Sequence, residues 1–193
     1  HLSHRRQCRH RNTEILRLAT NHGECPRFAA RYQLRSRQPR YPDRDQSEIG
    51  AGFGGQAHAI TSNFELTKYS IFDLPEVNRL IKKFLTSLIS IDNFIFVDGR
   101  GDISPNLKFD LVISNYAFSE LNRETQEKYL NNVLLRSERG YITWNELSFR
   151  SMNGFSKEEL QGLIPNSFII PEEPLTYPNN AIIAWGPNLQ LQS

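Results

Sequence analysis

Glu48-Ile-Gly-Ala-Gly-Phe-Gly-Gly55 sets an acidic residue two places before alternating glycines, the pattern of a strand end that turns tightly beneath a nucleotide-like ligand. Gly50, Gly52 and Gly54 carry no Cβ to hold a ligand off the backbone and they permit positive φ, while the residues that follow can open a helix. Glu48 adds a carboxylate beside the turn. The same letters also fit a dinucleotide fingerprint, with Gly50, Gly52 and Gly55 in G-x-G-x-x-G spacing and Asp73 about 20 residues on. The motif by itself therefore leaves two cofactor classes open.

Ligand chemistry separates them in part. S-adenosylmethionine has no pyrophosphate, so its site needs a close-approach glycine loop together with carboxylates for an ammonium group and ribose hydroxyls. Glu48 suits that demand better than it suits a diphosphate. An NAD(P)-binding oxidoreductase stays as the alternative reading.

Such a turn has to be positioned by a sheet, and from Glu48 onward the chain reads as alternating strands and helices. Residues 55–63 can form a short helix, and Lys68-Tyr-Ser-Ile-Phe72 is a β-prone run ending at Asp73. Pro75 suits the first position of a helix whose apolar residues Val77, Leu80, Ile81, Phe84, Leu85 and Leu88 recur at helical spacing. Phe94-Ile-Phe-Val97 and Phe109-Asp-Leu-Val-Ile113, separated by the turn Asp98-Gly-Arg-Gly-Asp102, have the length and character of buried parallel strands. Residues 121–137 read as a polar helix turning Tyr129, Leu130, Val133 and Leu134 inward, and Gly140-Tyr-Ile-Thr-Trp144 as another strand. Ser156 and Glu159 form a capping box, and Ser167-Phe-Ile-Ile170 with Asn180-Ala-Ile-Ile-Ala-Trp185 read as a closing antiparallel hairpin. The expected fold class is α/β, a Rossmann-like and mostly parallel sheet.

The chain has 193 residues, 38% hydrophobic and 11% aromatic, enough for one substantial core with an appendage. No apolar run approaches bilayer-spanning length, and the basic N-terminus lacks an apolar signal core, so a cytoplasmic protein without a membrane partner is expected. The formal charge of +2 conceals an asymmetry. Residues 1–46 hold 11 Arg, no Lys and 4 acids, a balance of +7, and residues 47–193 come to −5. Both cysteines, Cys8 and Cys25, lie in the first part, as do 4 of the 5 His.

Three readings compete for that Arg-rich segment. It could be an arm that binds nucleic acid or membrane through phosphate contacts, or it could hold zinc through Cys8, His10, His22 and Cys25, although their spacings match no common finger. The reading favoured here is that residues 1–46 are not the natural sequence of this domain, as from an out-of-frame or misjoined coding segment. A glycine turn of this type follows a buried, apolar strand, yet Tyr41-Pro-Asp-Arg-Asp-Gln-Ser47 precedes it. The first strand is thus expected to have lost its core face, which leaves a non-functional fragment with a basic arm as a further alternative. Nucleic acid is not the expected partner of residues 47–193.

Three segments make a family resemblance specific. Glu48-x-Gly-x-Gly-x-Gly54 resembles the first motif of class I methyltransferases, Phe72-Asp-Leu-Pro75 the acidic second-strand end of several O-methyltransferases, and Phe109-Asp-Leu-Val-Ile-Ser-Asn115 their fourth motif. Together with Ser114-Asn-Tyr-Ala-Phe-Ser-Glu120 and Gly140-Tyr-Ile-Thr, they resemble the sugar O-methyltransferase family of bacterial polysaccharide and nucleotide-sugar pathways, over nearly all of residues 47–193. The resemblance implies S-adenosylmethionine as cofactor and a sugar hydroxyl, on a nucleotide sugar or polysaccharide precursor, as acceptor. It places the methionine moiety against the glycine loop with Glu48 near its amino group, Asp73 on both ribose hydroxyls, Asp102 at the adenine amino group, and Asn115 at the ligand-binding edge of the sheet. Asp73 could instead cap the helix at Pro75, and Asp102 could be a turn residue.

At the acceptor, transfer from a sulfonium is an in-line displacement that calls for positioning and, for a sugar hydroxyl, a general base. Glu120 is the candidate base, with a first-turn helix acid as its structural counterpart. His58 reads as structural. Tyr116, Phe118 and Asn145 could line an acceptor pocket or belong to the core. The acids of residues 47–193 lack His partners, so metal-independent transfer is expected.

Overall fold

A computed structural model describes residues 45–187; the Arg-rich segment up to residue 44, with its Cys and His candidates, lies outside the described residues. Seven strands form one sheet: β1 (Asp45–Ile49), β2 (Lys68–Asp73), β3 (Phe94–Asp98), β4 (Phe109–Asn115), β5 (Ser137–Trp144), β6 (Ser167–Pro171) and β7 (Ala181–Trp185). Their spatial order is β3-β2-β1-β4-β5-β7-β6. The first five run parallel, and β7 inserts antiparallel between β5 and β6. The expected mostly parallel sheet with a closing antiparallel pair is what forms.

Alternation along the strands feeds two cores. On β2, Tyr69 and Ile71 turn to one face, where they meet Ile81 and Leu85 of helix α2 (Pro75–Thr86) and Ala57 of helix α1 (Gly55–Asn63). Phe72 turns to the other face and joins Ile49, Val112, Ile142 and Trp144 beneath Tyr129 and Leu130 of helix α3 (Arg123–Asn132). Strands buried on both faces read as continuous apolar runs, which is why β2 and β4 were legible.

β1 departs from expectation. A strand forms where a lost core face was foreseen, it begins inside the segment assigned to the Arg-rich arm, and Ser47, Glu48 and Ile49 are all buried. Backbone pairing on both sides supports it, with β2 from Asp45↔Lys68 to Ile49↔Phe72 and with β4 from Gln46↔Leu111 to Glu48↔Ile113. Polar side chains add anchors at its start. The Asp45 amide donates to Asp110 Oδ2 at 2.7 Å, and Lys68 Nζ lies 3.4 Å from Asp45 Oδ2.

The apolar stripe foreseen on α2 is narrower than its spacing suggested. Ile81 and Leu85 are fully buried, whereas Leu80 is 54% exposed and Leu88, past the helix end, 51%. Asn78 shares the buried face instead. Its Nδ2 donates to Asp73 O at 3.0 Å and to Val97 O at 2.8 Å, tying together the ends of β2 and β3.

Residues 121–137 are not one helix. α3 is capped by the Asn122 side chain, which accepts from Thr125 N, and it ends at Asn132 before a 3₁₀ turn over Leu134–Arg136. All four residues expected to face inward are buried. Two further helices follow, α4 (Glu146–Met152), which the sequence reading missed, and α5 (Lys157–Leu163), opened by the Ser156/Glu159 capping box. No helix among the described residues is long and apolar enough to cross a membrane.

Candidate functional site

β1 pairs with β2 on one side and with β4 on the other, so the chain leaves it in opposite directions, and such a switch point opens a crevice at the carboxyl ends of the strands. A cleft of about 620 Å³ lies there. Its floor is Ile49 and Gly50 at the end of β1 with Phe72, Asp73 and Leu74 at the end of β2. One wall is the loop after β3 through Gly99 and Arg100. The lining continues through Ala117 and Glu120 of the 3₁₀ turn after β4 and Thr125, Lys128 and Tyr129 of α3.

Gly50 is the residue at which a side chain would close this floor. Its φ is +72°, and a Cβ built on it would stand 2.1 Å from Ala117 Cβ. Asp73 is half-buried beside it. Its Oδ1 accepts from Leu74 N at 2.8 Å, and the Ala51 and Gly52 amides also stabilise the carboxylate, but burial outweighs them and raises the carboxyl above its ordinary value. The helix-cap alternative for Asp73 is not what the structure shows, since the N-cap of α2 is Leu74 and no side-chain cap bond is made.

Glu48 lies behind the cleft instead of in it. It is 3% exposed and accepts from Tyr69 Oη at 2.8 Å. Strand alternation accounts for this, because residue 48 turns toward the α1/α2 core that holds Tyr69 while Ile49 turns to the opposite core. Burial pushes the Glu48 carboxyl up to about 7, the tyrosine bond opposes the rise, and the charge of Asp73 adds to it. The folded state therefore binds this proton more tightly than the unfolded chain. The stability gained is complete below about pH 4.5 and is lost as pH climbs to about 7, a span worth up to about 3 kcal/mol. Urea unfolding across that window should show the wild type losing stability relative to Glu48→Gln as pH rises; a difference that stays constant with pH would show that the carboxyl binds its proton equally in the folded and unfolded chain.

The other predicted site residues divide. Glu120 lines the cleft, is exposed, and has Asn145 Nδ2 at 3.5 Å from its Oε1. Gly52, Gly54, Asp102 and Asn115 are outside the cleft lining. Gly54, at φ +91°, is the N-cap of α1. Asp102 is exposed past the β3 loop. Asn115 sits at the carboxyl end of the central strand β4, where its Nδ2 donates to Gln56 Oε1 and its Oδ1 accepts from Thr143 Oγ1 at 3.0 Å. Of the remaining candidates, His58 packs edge-on to Phe84 and Phe118 is fully buried core. Tyr116, at φ 64°, donates to Glu172, and Asn145 caps α4 by accepting from Leu147 N.

Sequence reasoning missed Arg100, Lys128 and Tyr129 as members of the cleft. Arg100 lay in a stretch read as a turn, and Tyr129 was correctly read as buried. Lys128 sits among Glu124, Glu127 and other polar residues of α3, so its letter looks like any solvated helix face.

No family model matches the chain, and no curated protein matches it. Solved structures do resemble it. PigF with S-adenosylhomocysteine aligns at 20% identity and TM-score 0.53 over 82% of this chain and 53% of its own. An O-methyltransferase family 2 protein from Planctomyces limnophilus, in complex with apigenin, aligns at 16% and 0.52 over 74% and 50%. The mitomycin 7-O-methyltransferase MmcR aligns at 13% and 0.52 over 74% and 48%. This chain thus spans about half the length of these structures. Likeness at such identities is one of fold, and the chain shares the Rossmann-like sheet of these structures.

Proposed function

We propose that the chain binds S-adenosylmethionine in the β1/β4 cleft and transfers its methyl group to a hydroxyl of a small molecule. The observation that carries this is Asp73, a carboxylate at the end of β2 beside the Cβ-free bend at Gly50, in a cleft of about 620 Å³. The shared fold with structures named as methyltransferases supports it. A dinucleotide would need its pyrophosphate at the N-terminus of the first helix, and none of residues 52–56 lines the cleft.

In this reading Asp73 accepts hydrogen bonds from both ribose hydroxyls, which a carboxylate can do with its two oxygens, and Gly50 lets the nucleoside approach the backbone. When bound, S-adenosylmethionine supplies a methyl group made electrophilic by the adjacent sulfonium. The acceptor hydroxyl is held on the Glu120 side of the cleft, where the Glu120 carboxylate takes its proton and the Asn145 amide orients that carboxylate. Glu48, buried against Tyr69, supports the glycine turn from behind, and Asn115 fixes the first turn of α1 through Gln56.

A sugar as the acceptor rests on the sequence resemblance alone. The test is calorimetric titration of the full chain with S-adenosylmethionine, S-adenosylhomocysteine and NADH, followed by transfer of labelled methyl to nucleotide sugars. Binding of the two sulfur nucleosides is expected. Binding of NADH in their place would overturn the proposal, and methyl transfer to phenols with none to sugars would overturn the sugar reading only.

A further inference from the structure

The loop after β3 spends its amide hydrogens on the sheet and on itself. Gly99 N donates to Asp73 O at 2.9 Å, Arg100 N to Asp98 Oδ1 at 2.9 Å, and Gly101 N to Asp98 O at 3.1 Å. A Cβ at position 99 would stand 2.6 Å from the Tyr129 hydroxyl and in contact with the Asp73 backbone at 3.5 Å, so glycine lets the loop approach this closely. The loop is therefore pressed against the end of β2, next to the carboxylate that anchors the proposed site.

Its carbonyl oxygens need donors from elsewhere. Lys128 Nζ, on α3, donates to Gly99 O at 2.9 Å and to Gly101 O at 2.8 Å, while the Tyr129 hydroxyl reaches Gly99 O only at 3.4 Å. Gly99 and Lys128 both line the cleft, and this side chain joins the loop to α3. An ammonium is an adverse neighbour for a sulfonium, because like charges repel more strongly as water is excluded. Its place here is accounted for by the two carbonyls that it holds.

We infer that Lys128 is a positioning residue for the nucleoside half of the cofactor, fixing the backbone of residues 99–101 as the wall beside Asp73. The inference rests on the cofactor reading under Proposed function, and it concerns a residue to which neither the sequence motifs nor the resemblance gave a role. Lys128 acts through the loop, without touching the reacting atoms.

Titration of the full chain with S-adenosylhomocysteine and with methylthioadenosine, which keeps the nucleoside and lacks the amino acid, tests it. Lys128→Met should weaken both ligands by roughly tenfold, in keeping with loss of charge-assisted hydrogen bonds. Lys128→Arg, which can still donate to the two carbonyls, should recover most of that loss, and thermal unfolding of all three proteins should agree within a few degrees. Wild-type affinity in Lys128→Met overturns the inference and leaves the cofactor reading standing. A loss confined to S-adenosylhomocysteine also overturns it, because Lys128 would then serve the amino-acid half. Failure of the wild type to bind either ligand overturns both readings. Should Lys128→Met not fold, Lys128→Gln replaces it, and misfolding of both beside a normal Lys128→Arg assigns the lysine to stability alone, which again overturns the inference.

Discussion

Asp73→Asn should lower the affinity for S-adenosylhomocysteine by about 100-fold while leaving the fold intact. The carboxylate offers two acceptor oxygens to a pair of hydroxyls; the amide keeps one oxygen and turns an NH₂ donor toward the other. Loss of one charge-assisted hydrogen bond and mismatch of a second amount to about 3 kcal/mol, which is about 100-fold in affinity. The fold should tolerate the change because the remaining amide oxygen can keep the bond from Leu74 N, and the main-chain oxygen of residue 73 is unchanged. Asp73 O accepts from Gly99 N and from Asn78 Nδ2, and both bonds survive the substitution. Since burial raises the Asp73 carboxyl above its ordinary value, its protonated form persists to higher pH than an exposed aspartate's, and affinity should rise with pH as it ionises. Calorimetry beside thermal unfolding checks both parts. Unchanged affinity in Asp73→Asn would remove the carboxylate from the site and with it the proposed function.

The sheet was legible because parallel strands are buried on both faces and announce themselves as apolar runs, as at residues 68–72 and 109–113. β1 was not, since its letters are polar while its pairing with β2 and β4 is made by the backbone. Asn78 escaped notice for a related reason. A polar residue on a buried helix face breaks the hydrophobic period, and only the carbonyl oxygens that it meets, those of Asp73 and Val97, explain it.

In the candidate site, the structure brings part of the motif together and leaves part of it aside. Gly50, Asp73 and Glu120 meet in one cleft, but Glu48, two residues before Gly50, faces away from it. Spacing along a strand gives the face of a side chain only when the register against its neighbours is known, and Tyr69, which receives Glu48, is 21 residues distant in sequence. Lys128 was invisible for a different reason, because its partners are backbone carbonyls and these leave no trace in the choice of side chains.

Gly50→Ala should cost roughly 4 kcal/mol in stability and abolish cofactor binding. Two effects add. At φ +72° an alanine is in the left-handed region, a penalty of about 1–2 kcal/mol, and its Cβ would stand 2.1 Å from Ala117 Cβ, an overlap of the kind that costs about 1–3 kcal/mol as backbone shifts. Ala117 opens the 3₁₀ turn that carries Glu120, so relief of the clash moves the floor of the cleft and the proposed base together. Gly52 is the built-in comparison. It has φ +61° but nothing within 4 Å of a Cβ, so Gly52→Ala should cost only the backbone term, about 1–2 kcal/mol. Adding Ala117→Gly to Gly50→Ala removes the clash and leaves the strain, and should bring the loss down to the Gly52→Ala value. Urea unfolding of the four proteins reads the pattern directly. Equal losses at positions 50 and 52, with no recovery in the double variant, would mean that only backbone conformation matters at the turn and that the approach of Ala117 does not shape the cleft.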